Sequence, residues 1–592
     1  MSFLGQFKEK WLVDFEFRVS QGGLPEPVCM VAREMESRRT FRCWEEELRG
    51  LNRAPFDTGR ESVLVAFYAS AELGCFLALG WPLPVNVVDL YAEFRNITNG
   101  LPTPNGSGLL GAMAWYGLDS ISAMDKESIR DLVLRGNYTP EERNRILDYC
   151  EGDVICLEKL FPKMSPTIPP QALLRGKFVA VVAIMERNGV PIDVPLFSLL
   201  KAHWDDLKTA LIHEVDRGFG VFEGQTFKRE RFAEWLSRQH ILWPALDSGH
   251  LALDDNTFKD MARIHPQLEP LRQLRWALSQ MRLTEIAVGP DGRNRCLLSP
   301  FRARTGRNQP SNAKFIFGPA VWLRGLIKPG EGYAISYIDF EQQEFAIGAA
   351  LSKDPAMIEA YLSGDPYLKF AKMAKAVPED ATKGTHPKAR ELFKSISLGV
   401  LYCMGPDTLA LRLGVTRLEA RTLLDLHKSV FRKFWRWSDS AVDYALLHNR
   451  IHTAFGWQYQ VVDKTNDRSL RNFPMQANAA EMLRIACCLA TERGIKVCAP
   501  VHDALLIEAP ISQVQEAVEA VQSAMREAAE ATLNGFPLRT EAKVFQYPDR
   551  YMDVRGETMW NMTMRLLNGS KTTPVKDDTK PLSRVSPPLN LI

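Results

Sequence analysis

The chain has 592 residues, too many for one hydrophobic core, and its length points to two to four domains. Its 73 Lys and Arg against 71 Asp and Glu leave a net charge of +2, a balance that neither demands nor rules out a polyanionic partner. Ten cysteines without a C-x-x-C pair read as reduced core thiols rather than a structural zinc site, and charge near the N-terminus with no bilayer-length apolar run argues against a signal peptide or membrane span; a cytoplasmic protein is expected.

The first chemical signal is KWLVDFEF, residues 10–17. A strand here projects Asp14 and Glu16 from one face, and two such carboxylates need water or a cation between them. Taken alone, this reads first as a solvent-facing edge strand. An apolar strand end then leads into a helix carrying Glu72, in VAFYASAELGCF. Further on, RILDYCEGDVICL puts Tyr149 and Asp153 four apart on one helix face. In this order the four acids and the tyrosine resemble the DEDD-type 3′-to-5′ exonucleases with Tyr-x-x-x-Asp. The resemblance implies that Asp14, Glu16, Glu72 and Asp153 hold two divalent ions, Mg²⁺ or Mn²⁺, while Tyr149 orients the attacking water. Glu72 departs from the family's usual aspartate by one methylene, and Asp89 in NVVDLYAEF is an alternative ligand nearby.

The proline-rich FPKMSPTIPP, residues 161–170, marks a domain boundary. After it, MERNGVPID reads as a helix capped at Gly189 and an extended segment, and resembles the ERNG-like start of family A DNA polymerases. From about residue 196 to 283 the apolar spacing is helical, with Arg272, Arg275 and Arg282 as candidates for phosphate contact. RARTGRNQP resembles the family's TGR segment, which implies that Arg307 tracks the primer strand.

GYAISYIDFEQQEF is an apolar strand that ends at Asp339 and turns into a helix bearing Glu344. It is similar to motif A of the same family, which makes Asp339 a ligand of both catalytic ions and puts Glu344 where a ribose 2′-hydroxyl is excluded. In RELFKSISLGVLYCMG, Arg390, Lys394, Leu398 and Tyr402 recur every four residues along one helix face. The match to motif B implies that Arg390 and Lys394 bind a dNTP triphosphate, that Tyr402 stacks on the nascent base pair, and that Lys394 can protonate pyrophosphate. Leu398 stands where relatives have Phe or Tyr, and Cys403 where they have Gly, so a retuned pocket is expected.

RSLRNFPMQ spaces Arg468, Asn472 and Gln476 by four ahead of a long helix, and these match template and primer contacts of the family. In VCAPVHDALLIEAP two apolar runs meet at His502 and Asp503, a hairpin with a carboxylate at its exposed tip. It resembles motif C: Asp503 completes the two-Mg²⁺ site with Asp339, and His502 faces DNA. Pro500 hints at an edge strand or bulge, and Ala504 replaces a usual glutamate. A helix over 513–533 and a strand over 539–545 follow, then a tail over 568–592 too polar to fold.

The expected architecture is thus α/β and multidomain. An RNase H-like 3′-to-5′ exonuclease over 1–165 precedes a right-hand polymerase over 166–567, with thumb at about 196–300, palm at 301–350 and 451–567, and fingers at 351–450. No 5′-nuclease domain is expected ahead of it. The expected partners are primer-template DNA, dNTPs and a processivity factor or other replisome protein, in a monomer from a bacterial or phage setting. Two other readings stay open: a specialised repair or bypass polymerase with weak proofreading, and a catalytically silent DNA-binding scaffold.

Overall fold

The computed structural model describes residues 3–567 except 120–122, 247, 281–282, 319 and 464. The polar tail over 568–592 and Arg282 lie outside the described residues.

The first sheet is built on β1 (Glu9–Arg18), with β2 (Glu26–Glu34), β3 (Thr40–Trp44), β4 (Ser62–Ala66) and β5 (Val87–Asp89) in the order β3-β2-β1-β4-β5. β1 runs antiparallel to β2 and parallel to β4, and β4 runs parallel to β5. Every residue of β4 is buried, as expected of a strand covered on both faces. Alternation along β1 sends Trp11, Val13 and Phe15 into one apolar cluster and Leu12 into another. Asp14 and Glu16 therefore share the Leu12 side. α1 (Ser70–Leu79) follows β4, α2 (Leu90–Thr98) follows β5, and α3 (Pro140–Met164) packs on β1 and β2. A Thr139–Glu142 capping box starts α3.

α4 (Ala172–Asn188) follows the proline-rich stretch and ends, as its sequence predicts, at Gly189 with φ 59°. It leaves no gap between two cores. One face packs on α1 and β5; the other packs on the C-terminal half, and its Phe178, Val179 and Val182 belong to one apolar cluster with Trp11, Leu505 and Ile507. Gly176 permits this approach, since a Cβ there would lie 1.8 Å from the Val87 carbonyl oxygen.

Between 194 and 280 helices predominate, interrupted by an unanticipated hairpin, Phe222–Glu223 with Thr226–Phe227, and by an irregular stretch between Arg238 and Asp255. Two of the arginines that the sequence offers for phosphate contact are engaged within the protein. Arg272 is engaged by Glu269 at 2.8 and 2.5 Å. The Arg275 guanidinium lies 4.2 and 4.4 Å from the ring centres of Phe227 and Phe258.

The second sheet is antiparallel, with β6 (Tyr333–Phe340) inside it. α5 (Gln343–Ser352) and α6 (Pro387–Leu401) follow, and then a small hairpin of β7 (Arg450–His452) and β8 (Gln458–Gln460). α7 (Asp467–Glu492) leads into β9 (Lys496–Val501) and β10 (Ala504–Pro510); α8 (Val514–Thr532), β11 (Thr540–Gln546) and α9 (Val554–Leu567) complete the described chain. The strand order is β9-β10-β6-β11, so Pro500 does sit on an edge strand, beside a register shift at Val497/Ala499. Arg468–Gln476 lies within α7 rather than before it, because Pro474 is accommodated inside the helix. α9 was not anticipated. No helix among the described residues is long and apolar enough to cross a membrane.

Polar contacts lock the two halves together. Arg175 of α4 and Glu93 of α2 form a buried fork-to-fork pair at 2.6 and 2.7 Å. At the end of α2, Asn96 Oδ1 accepts the Gln458 amide at 2.8 Å and the Asn99 carbonyl accepts the Gln460 amide at 2.7 Å, so α2 is stitched to β8. Removing one partner of the buried pair strands the other charge. Arg175→Met is expected to cost about 3–5 kcal/mol in chemical denaturation, with most of it recovered by adding Glu93→Leu. Equal losses in the single and double variants would show that packing, not charge, holds this junction.

Candidate active site

Two centres of crowded carboxylate stand out. In the first, His502 and Asp503 form the two-residue turn between β9 and β10, and His502 takes the left-handed conformation, φ 58°, that the tight turn requires. Asp339 lies one strand over, opposite Ala504 in β10 and Glu541 in β11. Burial first, then Asp503, pushes the Asp339 carboxyl up to about 8, and the two side chains hydrogen-bond. Burial and the charge of Glu344 also raise Asp503, against the pull of Arg307. Asp339 Oδ1 is buried with no hydrogen-bond partner. An orphaned oxygen between like charges suits a hard divalent cation, which this oxygen-only donor set would hold.

Around this pair, Glu344 enters on the first turn of α5 and accepts the Tyr402 hydroxyl at 2.9 Å. Tyr402 is the residue that ends α6, rather than part of its last turn, and its ring is half exposed. Burial, then Glu344, raises its hydroxyl to about 12, and Arg307 opposes the shift. Arg307 Nε is buried without a partner. Cys403 takes φ 53°, which explains why glycine suits this position, and its thiol donates to Asn472 Oδ1 at 3.4 Å. Asp339, Asp503, Glu344, Tyr402, Arg307 and Asn472 are thus connected. Arg390 is paired with Asp365, a residue without a motif of its own, and Lys394 lies 3.7 Å from Glu391. Leu398 and Gln476 are half-buried, and Arg468 lies beside Gly405. His502 is exposed, with its imidazole pKa lowered mainly by partial burial.

In the second centre, ligand oxygens of Asp14, Glu16 and Asp153 all lie within 4.8 Å of one another. Burial, then Glu72, Asp153 and Glu16, holds the Asp14 carboxyl far above its ordinary value. Asp14 Oδ2 and Glu72 Oε2 are buried without partners. Glu72 is outside the tight group of three: buried at the start of α1, it accepts the Phe15 amide and feels the others through space. Tyr149 hydrogen-bonds Asp153, as their spacing on α3 predicts. Asp89 is not an alternative ligand. Its Oδ1 caps α2, accepting the amides of Tyr68 at 2.8 Å and Tyr91 at 2.9 Å, and burial raises it to about 7.

Sequence reasoning missed Asp365 and Glu541. Glu541 adds to the like charge on Asp339 purely through strand register, which no local pattern around it betrays.

Residues 317–546 match the family described as DNA polymerase family A. DNA polymerase I of Aquifex aeolicus is 24% identical over 444 residues, covering 67% of this chain and 75% of that protein. The thermostable DNA polymerase I of Thermus thermophilus is 25% identical over 377 residues, 59% of this chain and 44% of that one, so the chain spans less than half of that relative's length. Among solved structures, the polymerase domain of Pol1 from M. smegmatis, in complex with DNA primer-template and dNTP, has the same fold: TM-score 0.68 at 19% identity, covering 90% of this chain and 95% of that one.

The carboxylate pair has a consequence for stability. Because native Asp339 keeps its proton up to about 8 while the unfolded side chain releases it near 3.8, the metal-free protein loses stability as pH rises between those values. Asp339→Asn removes that loss. Its Tm in EDTA should exceed that of the wild type, by more at pH 8 than at pH 5; a pH-independent difference would contradict the shift.

Proposed function

We propose, from the premise that residues 317–546 are a family A DNA polymerase domain, that this chain carries out template-directed DNA synthesis and edits its product with a 3′-to-5′ exonuclease. The observation that carries the reading is the pairing of Asp339 of β6 with Asp503 of the β9–β10 turn, with an orphaned oxygen on Asp339 and the charges of Glu344 and Arg307 acting on Asp503. Synthesis is attack of a primer 3′-hydroxyl on the α-phosphorus of a dNTP, with pyrophosphate leaving. Bound at Asp339 and Asp503, two Mg²⁺ ions would supply the charge that lowers the hydroxyl pKa and neutralises the phosphates.

The protein's own groups position and screen the reactants. Arg307, close enough to pull on Tyr402 and Asp503, faces the primer strand. Arg390 exchanges Asp365 for the triphosphate, an anion-for-anion swap that keeps the guanidinium paired and leaves the Asp365 carboxylate with the Leu368 amide. Lys394, half exposed with only a distant Glu391, is free to swing to the leaving pyrophosphate and protonate it. The Tyr402–Glu344 hydrogen bond fills the place a 2′-hydroxyl would occupy, which favours dNTPs. Arg468, Asn472 and Gln476, every four residues along the first turns of α7, face template and primer beside His502.

For editing, the strand order and the Asp14, Glu16 and Asp153 cluster support an RNase H-like nuclease holding two divalent ions, Mg²⁺ or Mn²⁺, with Tyr149 beside Asp153 to orient water. Glu72 standing outside that cluster favours a second reading, a repair or bypass polymerase whose editing is weak. The thumb, palm and fingers divisions at 196–300, 301–350 with 451–567, and 351–450 belong to the same proposal, as do a replisome partner and a bacterial or phage-infected cytoplasm.

With Mg²⁺ the protein should extend a primed template, and Asp503→Asn should extend it at least about 10³-fold more slowly. A mispaired 3′ nucleotide should be removed by the wild type and retained by Asp14→Ala; equal retention by both selects the bypass reading. Glu344→Ala should reduce discrimination against ribonucleotides about tenfold or more, judged by kcat/KM for rNTP against dNTP. Unaltered discrimination would remove the Tyr402–Glu344 pair from sugar selection.

A further inference from the structure

Several arginines at the junction of the two halves are neutralised by a carboxylate. Arg175 is paired with Glu93, Arg484 lies 3.6 Å from Glu481, Arg293 3.0 Å from Glu508 and Arg324 2.8 Å from Asp553. Arg95, Arg302 and Arg304 differ: among the described residues none of them has an ion pair with a carboxylate. They are also crowded. Arg95 is half-buried at the end of α2, and its charged form is disfavoured by burial and then by the charges of Arg302 and Arg304. Arg302 and Arg304 are exposed.

This crowding is built rather than incidental. Arg95 Nη2 donates to the Arg302 carbonyl at 2.8 Å and Nη1 to Ser107 Oγ at 3.2 Å. The Arg304 carbonyl receives Asn99 Nδ2 at 2.6 Å from the N-terminal half and Trp457 Nε1 at 2.9 Å from the C-terminal half. Arg484 Nη1 holds the Gly306 carbonyl at 2.8 Å. Four donors thus fix the backbone of 302–306 by its carbonyls and leave the two side chains outside. The same segment ends in Arg307, whose charge reaches Asp503. Tyr91 stands within the field of Arg95 and Arg302.

Three guanidiniums forced together without counter-charge repel one another, and a polyanion laid across them relieves that repulsion while releasing its own condensed cations. We propose that Arg95, Arg302 and Arg304 form a phosphodiester-binding site, contributed jointly by both halves of the chain, that grips a nucleic-acid backbone next to the polymerising centre. The site rests on the DNA-polymerase reading above and adds the N-terminal half to the DNA-binding surface. Both duplex primer-template and a single-stranded end present this chemistry, and the test separates them.

The full chain, in EDTA to prevent cleavage, is titrated with a fluorescent primer-template duplex and separately with a single-stranded oligonucleotide across a range of salt concentrations. The Arg302→Ala/Arg304→Ala variant should lower the slope of log Kd against log salt by about 1.8 on duplex, or about 1.4 on a single strand, and weaken binding about fivefold per lost contact near 0.15 M salt. Arg95→Ala should lower the slope further. The arm in which the slope falls identifies the ligand. Arg526→Ala, on the exposed face of α8, should match the wild type. Unchanged slopes in both arms overturn the site, as does an equal loss in Arg526→Ala, which would make it a general effect of charge. A protein that binds with the expected slopes but does not extend primers loses the polymerase reading and keeps this site.

Discussion

The repulsion between carboxylates held closer than water alone would allow governs both centres of this molecule. Asp339 and Asp503 are brought together by β6 and β10, and Asp14, Glu16 and Asp153 by β1 and α3. In each place apolar strands supply the packing that keeps the charges in position, and a buried oxygen is left without a partner. A fold that needed only stability would put amides or apolar groups there. The raised carboxyl pKa values at Asp14 and Asp339 express stability given up at both places, a cost that a cation held there would offset.

The rest of the architecture holds those two centres in a fixed relation. α4 lies between the sheets, close enough to β5 that only glycine fits at position 176, and it joins one face of the first sheet to the apolar cluster of the second. Glu93 and Arg175 neutralise each other inside that contact, and the carboxamides of Asn96 and Asn99 tie α2 to β8. A junction built from buried, directional contacts favours two halves that work as one body rather than two domains on a tether. The loop that ends in Arg307 is gripped from both sides, so the N-terminal half shapes the surroundings of the C-terminal centre.

Departures from the pattern of the family that residues 317–546 match acquire physical content in the structure. Cys403 occupies a left-handed backbone conformation that glycine adopts freely, and its thiol is turned onto Asn472. Ala504 sits directly opposite Asp339, where its small side chain leaves room, while Glu541 brings a carboxylate to the other flank of the same residue. Arg390 rests against Asp365.

The sequence by itself determined the chemistry: the Asp-x-Glu strand, the Tyr-x-x-x-Asp helix, the apolar strand ending at Asp339, the four-residue spacing of Arg390 to Tyr402 and the hairpin tip at Asp503. These signals are local, because the periods of strand and helix place such residues on one face whatever surrounds them. Tertiary structure alone decided which charges meet. Register set Glu541 beside Asp339, helix capping occupied Asp89 away from the Asp14 centre, ring packing turned Arg275 inward, and two chain segments some 200 residues apart left Arg95, Arg302 and Arg304 crowded without a counter-ion. Such outcomes depend on which elements pack together, and pairings over that range leave no period in the sequence from which to read them.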